Sequence, residues 1–308
     1  MATDSAEPDG PPDAPRYDPD YVRRFYDDFG EREWGRFEAG PDNPRAPANL
    51  VNLHLHRWYL RRYVRAGDHV LDVGAGPGRF TIELARRGAR VTVGDISPAQ
   101  VALNEQKVRA AGCEASVVQR SVMDVVDLSA LPTNGFDAVV CYGGALSYVF
   151  DRADTAVGEL LRVTKPGGHV LLSVMSLLGS FRRFLPGVLD VARRHGPEVI
   201  DQVFQTHDQI GPVAAGGPLP EGHRFRYYTW ATLQALLRRH PCTIVDASAA
   251  NFLAIGSNEA LLAPLFEEPQ SAALWERYLA WEVECCRQPG AIDGGTHIIA
   301  VVQKEPQP

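Results

Sequence analysis

The chain has 308 residues, 45% of them hydrophobic and 22% charged, with a formal net charge of −7. That balance fits a globular protein and disfavours a dedicated nucleic-acid binder, which carries a basic stripe. No apolar run is long enough to span a bilayer, the start has no charged-then-apolar leader pattern, and the five cysteines (113, 141, 242, 285 and 286) form no C-x-x-C pair, so zinc and disulfide frameworks are set aside and a cytoplasmic setting is expected.

Residues 1–16 are rich in Pro, Asp and Ala and read as a disordered tail. Residues 17–66 read as an N-terminal helical lid: Tyr21, Val22, Phe25, Tyr26 and Phe29 recur at helical spacing, Trp34 and Phe37 follow among acids, and a second helix runs over about 48–64. Tyr26, Trp34 and Phe37 are the candidate substrate-binding residues; the same aromatic surface could equally serve packing or a homodimer.

The apolar run Val70-Leu71-Asp72-Val73 leads into Gly74-Ala75-Gly76-Pro77-Gly78 and then a helical pattern from Arg79. This order describes a buried strand, a tight turn and a helix start, where α/β proteins bind nucleotide-like ligands. The glycine pattern is G-x-G-x-G rather than the dinucleotide G-x-G-x-x-G, and Pro77 removes an amide that could face a phosphate. Asp72 suits a cofactor bearing an ammonium better than one bearing phosphate.

The next strand, 90–96, ends in Asp95, about twenty residues beyond the loop, where an acid can accept ribose hydroxyls. Ser97 as N-cap and Pro98 at the first helical position open a helix over 99–111. A third strand over 114–119 leads to Asp124 and Val125. A fourth, Phe136 to Cys141, opens into Tyr142-Gly143-Gly144, and a helix over 151–164 stops at Lys165-Pro166-Gly167-Gly168 before a fifth strand, 169–174.

Five such elements in this order, over residues 68–175, resemble the class I S-adenosylmethionine (SAM)-dependent methyltransferases, in the branch acting on small molecules of natural-product type. The resemblance implies a Rossmann-like, seven-stranded, mostly parallel α/β sheet with helices on both faces. It implies that Gly74, Ala75, Gly76 and Gly78 lie against the methionine part of SAM and that Asp72 reaches its ammonium. Asp95, beside Ile96, holds the ribose; Asp124 accepts from the adenine amino group with the Val125 amide on a ring nitrogen; Cys141 and Tyr142 lie beside the methyl group. S-adenosylhomocysteine (SAH) would be the product.

On this reading residues 67–175 form the SAM-binding core, 229–250 continue it, and 291–308 hold the last strand and a tail. Segments 176–228 and 251–290 are expected to cap the acceptor. Relatives often carry a Tyr-His pair after strand four, where this chain has Leu146-Ser147-Tyr148-Val149. The candidate bases are therefore His207 and His223, then His297, with Tyr148 as a hydrogen-bonding partner; His54 and His56 complete the histidines considered. No metal is expected. With no base in the motif and Glu31, Glu33, Glu38, Asp201, Asp208 and Glu221 near the expected site, nitrogen is favoured over oxygen as the methylated atom, on a small molecule such as an amino sugar. A macromolecular acceptor met by Arg182, Arg183, Arg193 and Arg194, or SAM binding without methyl transfer, are the alternatives.

Overall fold

The computed structural model describes residues 15–38, 43, 46–213 and 222–306. Most of the predicted tail, and residues 214–221 of the segment 176–228, lie outside them. Strands β1 (His69–Val73), β2 (Arg90–Asp95), β3 (Val117–Val122), β4 (Phe136–Cys141), β5 (Thr164–Met175), β8 (Cys242–Ala249) and β9 (His297–Lys304) form one sheet in the order β3-β2-β1-β4-β5-β9-β8. β9 runs antiparallel to both neighbours, while the pairs among β1 to β5 are parallel.

Alternation along the central strands builds two cores. Leu71, Val73, Val139 and Leu172 point to a face covered by α6 (Ala153–Val163) and α10 (Trp230–Leu237). Val70, Val91, Val140 and Leu171 point to the other, covered by α3 (Ala46–Tyr63) and α4 (Arg79–Arg86), with α11 (Glu259–Glu267) and α12 (Ala272–Cys286) packed on α3. The chain runs outward from β1 through β2 to β3, then returns to place β4 on the other side of β1. That reversal makes the β1/β4 boundary a switch point, and the loops leaving β1, β2 and β4 meet above it.

Local chemistry sets the elements that border this point. Asp18 caps α1 (Pro19–Phe29) by accepting from the Tyr21 amide at 3.0 Å, with Pro19 in the first turn. Ser97 caps α5 (Pro98–Ala110), accepting from the Gln100 amide at 3.1 Å. A short helix, α2 (Arg32–Gly35), follows α1. β3 starts three residues later than the sequence pattern places it. Glu114 to Ser116 form a 3-10 turn whose Glu114 holds the Arg120 guanidinium at 3.0 Å on both oxygens.

The segments expected to cap the acceptor form further helices and a short strand pair. Residues 176–228 form α7 (Leu177–Arg183), α8 (Leu185–His195), α9 (Glu198–Thr206) and the short pair β6 (Asp208–Gln209) with β7 (Phe225–Arg226). In 251–290, the buried Glu282 of α12 accepts from the amides of Phe252 and Leu253 and from the Tyr278 hydroxyl, pinning that loop to the sheet side of the helix.

The α7 turn closes on the loop before β9 so tightly that a Cβ on Gly179 would overlap the Gly295 carbonyl, whereas one on Gly290 would meet nothing within 4 Å. Gly179→Ala is therefore expected to cost about 2–3 kcal/mol and lower the thermal midpoint by several degrees, with Gly290→Ala nearly neutral. Equal midpoints for the two variants in a calorimetric scan would contradict this packing.

Candidate active site

A cavity opens above the β1/β4 switch point. Its floor comes from the β1 loop (Gly74, Ala75, Gly76, Pro77), Asp95 and Ile96 after β2, and Tyr142 and Gly143 after β4. Gly74 has φ 68° and a Cβ there would come within 2.8 Å of the Ala145 Cβ, so this tight turn demands glycine. Gly78 lies behind the floor at φ 93°, against Asn104, where it opens α4.

Two buried carboxylates shape the floor. Asp95 accepts from the Gly76 amide at 2.8 Å and the Ser97 amide at 2.9 Å; burial pushes its pKa up to about 6 although both amides pull the other way. Asp72 lies beneath the loop and does not line the cavity. It accepts from the Thr81 hydroxyl at 2.6 Å, and burial, with the Asp95 charge adding, pushes it up to about 7. Asp124 lines the cavity and accepts from the Tyr17 hydroxyl at 2.8 Å and the Val126 amide at 3.0 Å, next to Val125.

The N-terminal helices supply the opposite wall. Tyr26 and Phe37 line it. Trp34 does not: its ring is covered by the Arg79 guanidinium at 4.1 Å and its indole N–H donates to Glu38 at 2.5 Å, so it packs the outside of the wall. Glu33 and Arg36 line the cavity as an ion pair at 2.8 Å, beside Gly76.

The candidate bases separate. Tyr148 lines the cavity, and its hydroxyl lies 3.1 Å from Nε2 of His223, whose Nδ1 lies 3.2 Å from the Tyr21 hydroxyl. His223 is buried behind Tyr148, outside the cavity, and burial lowers its pKa to about 4. His207 is not at the cavity; it ends α9 in the left-handed region at φ 63°, where its carbonyl accepts from the Tyr227 amide. His297 does line the cavity, held by Asn52 Nδ2 at 3.4 Å. Cys141 is fully buried behind Tyr142, and burial raises its thiol to about 12.

Sequence reasoning underrated one group. Asn52 and His56 sit one turn apart on α3 and both line the cavity, with Phe80 and Tyr142 around the His56 ring at 5.5 and 4.6 Å. Their four-residue spacing was the available signal. Of the described acids among those expected to surround an amine, only Glu33 lines the cavity. Glu31 pairs with Lys107, Glu38 takes the Trp34 indole, Asp208 holds Arg226, and Glu221 lies outside the described residues. No described residue of 176–290 lines the cavity. Among the described residues no cluster of His, Cys, Asp and Glu could hold a metal ion, and no helix is long and apolar enough to cross a membrane.

A family model described as a methyltransferase domain matches residues 70–168. A ubiquinone biosynthesis O-methyltransferase of Xanthomonas oryzae pv. oryzae is 37% identical over 155 residues, 48% of this chain and 62% of that protein, so the chain spans under two thirds of that relative. Among solved structures, the [4+2]-cyclase SpnF is similar over 96% of this chain and 99% of its own (TM-score 0.56, 20% identity), as is a SAM-dependent methyltransferase from Methanosarcina mazei over 81% and 98% (TM-score 0.54, 18% identity). A methyltransferase domain thus matches residues 70–168, and the main sheet, ordered 3-2-1-4-5-7-6 by sequence, has the fold of the class I SAM-dependent methyltransferases. The cofactor of that class is SAM, and the floor fits it: the Gly76 backbone is open to approach, with no atom closer than 3.9 Å to where a Cβ would stand, and two carboxylates lie under the loop.

The raised Asp72 pKa has a testable sign. Between the unfolded value near 4 and the folded value of about 7, the folded protein binds more protons, so the Asp72 contribution to stability falls as pH rises through that window. Relative to Asp72→Asn, the ligand-free wild type should lose stability from pH 5 to pH 8, by on the order of 3 kcal/mol. Parallel stability curves for the two proteins in denaturant titrations would contradict the assignment.

Proposed function

We propose that the protein is an enzyme that transfers a methyl group from SAM to a hydroxyl oxygen of a small molecule. SAM supplies an electrophilic methyl on a sulfonium, so the protein's work is to bind, align and exclude water. On this reading Gly74, Ala75 and Gly76 meet the amino-acid end, and Glu33 and Arg36 face its ammonium and carboxylate. Asp95 takes the ribose hydroxyls, and Asp124 with Val125 takes the adenine edge once Tyr17 shares or yields its hydrogen bond.

The choice of oxygen reverses the preference drawn from the sequence, and one observation carries it. Around the far wall the polar groups are uncharged, Asn52, His56, Tyr142 and His297, while Glu33 stands at the glycine loop paired with Arg36, and Glu31 and Asp208 pair with Lys107 and Arg226. The activity named for the Xanthomonas relative, O-methylation in ubiquinone biosynthesis, agrees with oxygen as the atom. Because a [4+2]-cyclase shares the fold, the fold by itself does not decide the reaction. Of the arginines considered for a macromolecular acceptor, Arg182 donates to the Phe252 carbonyl, Arg183 to Asn49, and Arg194 pairs with Asp190.

Incubation with SAM and a panel of ring-matched phenols and anilines, followed by mass spectrometry, tests this. The mass gain of one CH2 should fall on phenols. Gain on anilines alone, or no gain on any member, would count against it.

A further inference from the structure

His56 has a polar atom that no other described residue satisfies. The residue is 2% exposed, and its Nδ1 lies 2.8 Å from the Asn52 carbonyl oxygen. A carbonyl only accepts, which assigns the ring hydrogen to Nδ1 and leaves a lone pair on Nε2. Among the described residues that nitrogen is buried without a hydrogen-bond partner, and so is the hydroxyl of Tyr142, whose ring meets His56 edge-on. Leaving such atoms unpaired is costly, and paired absences at one cavity point to a ligand that completes them. Both residues line the cavity, next to Phe80. One fixed acceptor and one phenol, set among aromatic rings, complement a hydroxyl on an aromatic ring: its O–H donates to Nε2 and its oxygen accepts from Tyr142.

Resting on the hydroxyl-methylation reading above, we propose that His56 is the general base of the reaction and that the acceptor is a phenol. In the step, the acceptor's O–H proton passes to Nε2 while its oxygen bonds the methyl carbon and the electron pair of the broken C–S bond stays on sulfur. The ring becomes an imidazolium and returns its proton to solvent after release. Positive charge moves from sulfur to imidazole and none is created, which suits a neutral base in a site that burial makes hostile to net charge. An ammonium could not serve here, since it lacks a lone pair and would add a second positive charge. Asn52 fixes both rings of the wall, His56 through its carbonyl and His297 through its amide.

Phenol is the probe, with toluene as the same shape lacking the hydroxyl. In nitrogen-15 spectra of the SAH-loaded protein, Nε2 of His56 should resonate as an unprotonated nitrogen and shift on addition of phenol but not of toluene. Given SAM, the wild type should convert phenol to anisole, and His56→Ala should be about 100-fold slower while binding SAH within about twofold of wild type. A protonated Nε2, an Nε2 indifferent to phenol, no anisole from the wild type, or anisole formed equally fast by His56→Ala overturns the proposal. The nitrogen spectra need no variant, so a His56→Ala protein that fails to fold leaves the test intact. Anisole formation with a silent Nε2 would refute the base while sparing hydroxyl methylation, whereas failure of SAH to bind would remove the reading beneath it.

Discussion

The Asp95 carboxylate joins two βα turns that the rest of the site is built on. One oxygen takes the amide of Gly76 in the β1 loop and the other the amide of Ser97 at the start of α5. Through Ser97 the link extends to α1, because the Ser97 hydroxyl donates to Asp27 at 2.5 Å, while Gln100 donates to the carbonyls of Tyr26 and Gly30. One buried acid thus ties floor to wall. The arrangement keeps a charge-accepting group inside a protein that pays for it by raising the pKa, and a ligand carrying hydroxyls and positive charge would relieve that cost.

The same logic separates the two ends of the cavity. Near the glycine loop stand carboxylates and the Glu33–Arg36 pair, suited to a zwitterionic amino-acid end. At the opposite wall burial holds His56 neutral, with a pKa lowered to about 4, and also lowers that of His297 well below its usual value. Tyr148, backed by His223 and Tyr21, contributes another uncharged hydroxyl whose ionisation burial opposes. Polarity without charge suits an acceptor recognised by hydrogen bonds rather than by ion pairing.

Much of the architecture was legible because it is written in short-range signals. The apolar runs at 70–73, 90–95 and 136–141, the Ser97-Pro98 cap and the glycine stops sit where period and turn chemistry place them. The start of β3 was not, since the Glu114–Arg120 pair that shapes its entry is a contact between side chains. The acceptor wall was harder, for a different reason. His207 and His223 drew attention by lying in a long insertion, yet what selects His56 is helix phase on α3 combined with a cavity formed by three remote loops. Trp34 likewise reads as a lid aromatic until Arg79 is seen to occupy its face. Residue type is visible in a chain; which face it turns to a cavity is decided by tertiary packing.

The central claim is that the floor built by Gly76, Asp95 and the β1 loop holds a nucleoside bearing an amino-acid tail rather than a pyrophosphate. Titration calorimetry of the purified protein measures this most directly. SAH should bind with micromolar or tighter affinity, while NAD and a nucleoside triphosphate give no heat. Tight binding of either of those with silence toward SAH would contradict the account.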